Sequence, residues 1–258
     1  MTRSAGLPDG LLVSVRSVEE AVEAVAGGAA IVDVKEPSRG PLGCATEELA
    51  AAIVAAVDAR VPCTLACGEL ADGHGAIAAH VQRVAAVTIG SRPGIAAVKA
   101  GPAGLDAAAW REAFRRLASG VPPGVELVAV AYADFQAAGS PAPADLIAAA
   151  AESAAATLLI DTFDKQGAGL YQLAGGPAVG GWVSMAREAG LSVALAGRLT
   201  AAEIGAATAS GARIVGVRSA ACDGGRMGRV QRRNVGQLVG TLQEARGHPG
   251  HATPGVSP

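Results

Sequence analysis

The hydrophobic positions of this chain fall into short, nearly continuous runs separated by longer stretches of helical periodicity. Eight runs read as strands: 11–15, 30–35, 62–68, 96–101, 126–134, 157–163, 192–197 and 213–218. Runs rich in Val, Ile, Leu and Ala without strict alternation are the pattern of strands buried on both faces of a parallel sheet. The intervening stretches carry helix-start signals. Ser17-Val18-Glu19-Glu20 and Thr200-Ala201-Ala202-Glu203 have capping-box spacing, in which the first hydroxyl and the fourth carboxylate satisfy each other's backbone N–H groups. Gly27, Gly190 and Gly211 stand where helices should end. Eight βα units closed by a last helical stretch, 230–246, predict an α/β fold, a single (β/α)8 TIM barrel, with residues 1–246 as one catalytic domain. An open doubly wound sheet is the alternative, but no GxGxxG follows the first strand. Residues 247–258, rich in Gly and Pro, are expected to be a disordered tail.

Composition narrows the function. Half of the 258 residues are hydrophobic but only 3% are aromatic, so Ala, Val and Leu must fill the core. The net charge is -2 and no basic stripe occurs, which argues against nucleic acid or an anionic membrane as partner. Met1–Gly10 has no apolar segment of a secretory signal, and no apolar run is long enough to span a bilayer, so a cytoplasmic protein is expected. Homo-oligomerisation stays open. Cys44, Cys63, Cys67 and Cys222 have neither zinc-knuckle nor CxxC spacing and read as reduced, mostly structural thiols. His74 and His80, six apart, are not spaced as metal ligands, and His80 reads as a helix-surface residue; no metal centre is expected.

The basic residues carry the sharpest signal. Of 21, only Lys35, Lys99 and Lys165 are lysine. An ammonium can lose its proton and become a nucleophile; a guanidinium in effect cannot. All three lysines map to the C-terminal ends of candidate strands, the catalytic end of such a barrel, and none to the outer helices. Asp33 lies two residues before Lys35, on the same strand face, and Asp161 lies near the end of strand six, four residues before Lys165. Burial and neighbouring cations both disfavour an ammonium. Such a cluster can hold one neutral amine beside a charged acid, as Schiff-base chemistry requires. A lone lysine at a strand end is more often a snorkelling side chain; three against an arginine background argue for chemistry.

After strands seven and eight come Gly197-Arg198 and Gly216-Val217-Arg218-Ser219, where this fold commonly binds phosphate through backbone N–H groups and a helix N-terminus. The bland alternative is a pair of ordinary tight turns. Tyr132 and Asp134 share a face at the end of strand five and read as a proton shuttle, a substrate contact or, for Tyr132, a core aromatic. Glu69, at the end of strand three, reads as a helix-entry or surface residue, with a reach into the site as the alternative.

These motifs resemble the (5-formylfuran-3-yl)methyl phosphate synthases, furan-forming enzymes of methanofuran biosynthesis. The likeness runs from "LLVSVRSVEEAVEAVAGGAAIVDVKEPSRGPLG" through "AAVKAG", "VAVAYAD", "LLIDTFDKQG", "VALAGRL" and "IVGVRSAAC". It implies a barrel that joins two glyceraldehyde 3-phosphates into 4-(hydroxymethyl)-2-furancarboxaldehyde phosphate, releasing one phosphate and two waters. It also implies Lys35 as the Schiff-base lysine, Lys99 as proton acceptor, and Asp33, Asp161 and Lys165 in the same site. The reaction is redox-neutral, so no cofactor is expected, only a small phosphorylated carbonyl substrate. A second phosphate would need Arg39 or the lysine cluster. A class I aldolase on a related sugar phosphate and a non-catalytic sugar-phosphate-binding barrel are the competing functions.

Overall fold

The structure is a computed structural model describing residues 6–90 and 92–247. Eight strands form a closed parallel barrel: β1 (Gly10–Val15), β2 (Ile31–Val34), β3 (Cys63–Glu69), β4 (Ala97–Gly101), β5 (Glu126–Tyr132), β6 (Thr157–Asp161), β7 (Ser192–Leu195) and β8 (Ile214–Val217). Each pairs with its neighbours in sequence, and β1 pairs with both β2 and β8 to close the ring. The expected TIM barrel is therefore what the chain forms. The tail beyond Gly247 lies outside the described residues.

The outer layer contains α1 (Val18–Ala26), α2 (Glu47–Val57), α3 (His74–Ala85) and α4 (Ala107–Gly120). It continues with α5 (Phe135–Ala138), α6 (Pro143–Ala151), α7 (Leu170–Glu188), α8 (Ile204–Ala209) and α9 (Arg232–Gly247). The Thr200–Glu203 capping box forms, whereas at α1 only the Ser17 half does, because the Glu20 carboxylate bonds one residue earlier than the N-cap. Ser17 Oγ accepts from Glu20 N, and the Glu20 carboxylate accepts from Arg16 N. Thr200 N and Oγ1 both donate to Glu203, opening the turn that leads into α8. Among the described residues no helix is long and apolar enough to cross a membrane.

The continuous apolar runs are explained by two cores. Alternate strand residues such as Leu11, Val13, Val32, Val34, Leu158 and Ile160 pack outward against the helices. Their neighbours, including Leu12, Ile31, Ala97, Val130, Leu159 and Ile214, fill the barrel. Period-two geometry carries the same phase on toward the strand ends. With Ile31, Ala97 and Leu159 inside, Asp33 and Lys35, Lys99, and Asp161 must also point inward. The observed strands stop one or two residues short of several expected ends because the chain turns there. Asp134 accepts from Phe163 N and Asp164 N at 2.6 and 2.8 Å, and Gly197 and Arg198 turn into positive φ (94° and 58°). A Cβ at position 197 would stand 2.9 Å from the Thr162 methyl, so only glycine fits that turn.

Candidate active site

The parallel register assembles the first half of the site. Asp33 sits opposite Ser14 on one neighbouring strand and Thr64 on the other. The three inward side chains form one row across β1, β2 and β3. Ser14 Oγ donates to Asp33 Oδ2 at 2.9 Å and Thr64 Oγ1 to Asp33 Oδ1 at 2.7 Å. Lys99 Nζ donates a short charge-assisted bond to the same Oδ1. Both partners of that ion pair are buried, so the hydroxyls matter: they satisfy lone pairs that would otherwise be stranded away from water.

The second half comes from β6 and its loop. Lys165 Nζ donates to Asp161 Oδ1 at 2.5 Å and lies 3.4 Å from Thr162 Oγ1. Burial lowers the Lys165 pKa against the pull of Asp161. For Asp161, burial acts upward but is outweighed by Lys165 and Lys35, and its carboxyl titrates below the usual range.

Lys35 differs from both. Among the described residues it makes no ion pair, and its one hydrogen bond is a long one, 3.4 Å to the Pro41 carbonyl oxygen. Burial drives its pKa from 10.5 down to about 7, assisted by the Lys165 ammonium and opposed by Asp161 and Asp33. The site therefore contains two lysines bonded to carboxylates and one, Lys35, that is not and whose pKa is pulled down to about 7.

One cavity at the C-terminal ends of the strands is lined by all three lysines, Asp33 and Asp161. Gly197, Arg198, Gly216, Arg218 and Ser219 line it too. The structure thus brings together the lysine cluster and the glycine-rich turns. The arginines divide in their contacts. Arg218 is buried and bound to Glu20 in the first turn of α1, with Nη1 to Oε2 at 2.8 Å and Nη2 to Oε1 at 3.2 Å. It also donates to the carbonyls of Ser14, Arg226 and Gly228. Among the described residues, Arg198 donates only to the carbonyls of Lys165 and Gly167, and Arg226 only to those of Pro37 and Gly40. Arg39 donates to the Cys44 carbonyl at 3.2 Å.

Tyr132 and Asp134 do not line the cavity. Tyr132 is buried at the end of β5, in register with Asp161, and donates to Glu69 Oε1 at 2.7 Å, while Glu69 Oε2 accepts from Ala103 N at 3.1 Å. Burial raises the pKa of both groups. Glu69 does precede a helical turn, Leu70–Asp72, as its sequence position suggests, but its carboxylate faces inward to brace β5. Asp134 holds the loop that carries Lys165. His80 is not a plain surface residue: its ring is largely covered and its Nδ1 lies 3.6 Å from Glu47. Ser14, Thr64 and Arg226 join the site without a motif of their own. The first two are legible by parity, as hydroxyls in the inward phase of apolar strands; nothing local marks Arg226. Among the described residues, no group of three or more His, Cys, Asp or Glu is placed to hold a metal ion.

Comparison with known proteins agrees with this geometry. Solved structures of similar fold include thiamine phosphate pyrophosphorylase from Pyrococcus furiosus, at TM-score 0.60 and 14% identity over 92% of this chain and 96% of that one. Another is KGPDC from Streptococcus mutans, at TM-score 0.59 and 12% identity over 94% and 99% of the two chains. At such identities they show the fold alone. Two curated relatives are much nearer, and both are named (5-formylfuran-3-yl)methyl phosphate synthase. The Methanopyrus kandleri protein is 35% identical over 91% of this chain and 98% of its own length. The Archaeoglobus fulgidus protein is 31% identical over the same shares. The model of the 4-HFC-P synthase family matches residues 11–239, which include every lysine and both carboxylates of the cavity. The chain is an enzyme and belongs to the 4-HFC-P synthase family.

Proposed function

We propose that this enzyme joins two molecules of glyceraldehyde 3-phosphate into the furan 4-(hydroxymethyl)-2-furancarboxaldehyde phosphate through a Schiff base at Lys35, releasing one phosphate and two waters. The observation that carries this reading is the contrast among the lysines. Two are locked to carboxylates, and Lys35, buried and without an ion pair among the described residues, has its pKa lowered to about 7. A nucleophilic amine must be neutral, and burial without a counter-charge is how a protein makes it so. The names of the relatives give the product class.

The chemistry follows from that amine. Lys35 Nζ adds to the aldehyde carbon of one substrate, and loss of water leaves a protonated imine. The cation acidifies the C–H on the next carbon, and removal of that proton gives an enamine. The enamine electron pair expels the phosphate from the third carbon or attacks the second aldehyde to form the carbon–carbon bond. Two net dehydrations aromatise the ring, and hydrolysis returns the free amine. The atoms of two triose phosphates equal those of the furan phosphate, one phosphate and two waters, so the reaction requires no redox partner. The Lys99–Asp33 pair is at hand to exchange the carbon-bound proton, and the Lys165 ammonium to protonate a departing oxygen. Arg198 and Arg226 bond only to backbone carbonyls among the described residues, with no carboxylate hydrogen-bonded to either, and are suited to the substrate phosphates.

The test is incubation with glyceraldehyde 3-phosphate. A product absorbing in the near ultraviolet, with the mass of the furan phosphate, separates this reaction from an aldol addition. Borohydride reduction during turnover should leave one adduct, mapped to Lys35 by mass spectrometry. Lys35→Arg should lose both adduct and furan; normal turnover by that variant would refute the assignment.

A further inference from the structure

The cations that line the catalytic cavity are not all alike in their partners. Lys99 is bonded to Asp33, Lys165 to Asp161 and Arg218 to Glu20. Lys35 is the proposed nucleophile. Arg198 and Arg226 remain, with no carboxylate hydrogen-bonded to either among the described residues. They reach over different sectors of the barrel. Arg198, after β7, donates to the carbonyls of Lys165 and Gly167 in the loop after β6. Arg226 donates to the carbonyls of Pro37 and Gly40, at 3.4 and 3.0 Å, in the loop that leaves β2 directly after Lys35. The one hydrogen bond of Lys35 goes to Pro41 in that same loop. Both bonds of Arg226 use Nη2, so Nε and Nη1 have no partner among the described residues. Arg226 itself stands at the tip of the β8–α9 connection, whose stem is a short antiparallel hairpin pairing Cys222 with Val230 and Asp223 with Arg229. The backbone of this tip is firmly held. Arg218 donates to the carbonyls of Arg226 and Gly228 at 2.8 and 3.2 Å, and Arg16 donates to that of Met227 at 2.5 Å. Glu20 holds both of these arginines in turn. The anchors run through main-chain carbonyls, which leaves the Arg226 guanidinium to the cavity.

We propose that these two arginines divide the substrate phosphates between them: Arg226 binds the phosphate that is expelled, and Arg198 the phosphate that the product keeps. The assignment rests on the reading of Lys35 as the Schiff-base lysine. The name of the relatives gives the product a formyl group on one ring carbon and a methyl phosphate on another. The triose that keeps its aldehyde carbon as the formyl group is therefore the one that has lost its phosphate. That aldehyde carbon is the atom held by Lys35 as the imine, and in a triose phosphate the phosphorus is only a short chain away from it. The departing phosphate thus belongs on the Lys35 side of the cavity, where Arg226 stands. The phosphate of the other triose belongs toward Lys165, where Arg198 stands. Burial leads the lowering of the Lys35 and Lys165 pKa values, and the Arg226 charge adds to both, as a cation in the same pocket must. In the elimination the nitrogen lone pair of the enamine re-forms the imine. The double-bond pair between the first and second carbons moves to join the second and third. The bond from the third carbon to oxygen breaks, and its electrons leave on the phosphate. The proton taken earlier from the second carbon and the departing phosphate group together make one inorganic phosphate, so no further reactant is needed. Negative charge grows on the departing oxygens, where a guanidinium with unused N–H donors stabilises it.

The test gives the full-length enzyme glyceraldehyde 3-phosphate with cyanoborohydride and reads the mass of the reduced adduct on the Lys35 peptide. Wild type should give mostly an adduct that has lost its phosphate. Arg226→Gln should give one that keeps it, and should release inorganic phosphate about a hundredfold more slowly. Arg226→Lys, which keeps the charge without the planar fork, should recover part of that loss. Arg198→Gln should lose the adduct phosphate as wild type does yet form little furan. Titration with inorganic phosphate alone reads the site without turnover. Its binding should weaken about tenfold in Arg226→Gln, and unchanged binding would remove Arg226 from the phosphate site. The assignment is overturned if Arg226→Gln frees phosphate from the adduct as fast as wild type, or if Arg198→Gln is the variant whose adduct keeps it. A wild-type enzyme that forms no adduct on Lys35 would refute the Schiff base itself, and this assignment with it.

Discussion

The neutral state of Lys35 can be titrated directly. At pH 7 an amine whose pKa is about 7 is half neutral, whereas at 10.5 it is neutral in about one molecule in 3,000. The difference is worth about 5 kcal/mol, and burial is its leading cause. Competitive labelling with trace acetic anhydride, followed peptide by peptide across pH, reads the fraction of each amine that is neutral. Lys35 should label with a midpoint near 7 and reach its plateau above pH 8. Lys165→Gln removes a repelling cation and frees Asp161 to attract Lys35, so the midpoint should rise yet stay well below 10.5. A wild-type midpoint of 10 or higher would refute the claim of a neutral amine. Full recovery of 10.5 in Lys165→Gln would refute burial as the leading cause. The sign for stability is opposite to that of a stabilising pair. Between pH 10.5 and about 7 the unfolded chain binds the Lys35 proton and the folded chain does not, so stability falls as pH is lowered through that window. Lys35→Met should therefore melt at a higher temperature than wild type at pH 7 while forming no adduct.

The other predictions rest on the supporting contacts. Asp33→Asn leaves the Lys99 ammonium buried without a counter-charge and should cost about 3–5 kcal/mol in denaturant unfolding, along with most of the activity. Arg218→Met strands the Glu20 carboxylate and should lose a similar amount, about 3–5 kcal/mol, with no substrate present. Unchanged stability with a raised KM would instead mark Arg218 as a phosphate ligand. Tyr132→Phe removes the bond to Glu69 and should cost about 1–2 kcal/mol of stability while Lys35 still traps substrate, because Tyr132 lies outside the cavity. On the acid side, kcat/KM should fall about tenfold per pH unit below 7 as Lys35 gains its proton.

What the sequence determined by itself was the barrel and the phase of its strands. Apolar runs of the right length alternate with capped helices, and once Ile31, Ala97 and Leu159 face the core, Asp33, Lys35, Lys99 and Asp161 must face it too. That constraint is local, set by backbone geometry within each strand, and so it is legible without contacts. The scarcity of lysine then singled out the three positions that the cavity brings together. What only the tertiary structure decided was pairing. The register that sets Ser14 and Thr64 against Asp33, the capture of Arg218 by Glu20, and the inward turn of Glu69 to Tyr132 join residues from 19 to 198 positions apart. So does the choice of which lysine lacks a carboxylate. Sequence places Asp33 two residues from Lys35, yet Asp33 is taken by Lys99, which lies on β4, two strands around the barrel. Charge pairing is decided by distance in space, and burial by everything packed around a group; neither is written in the spacing along the chain.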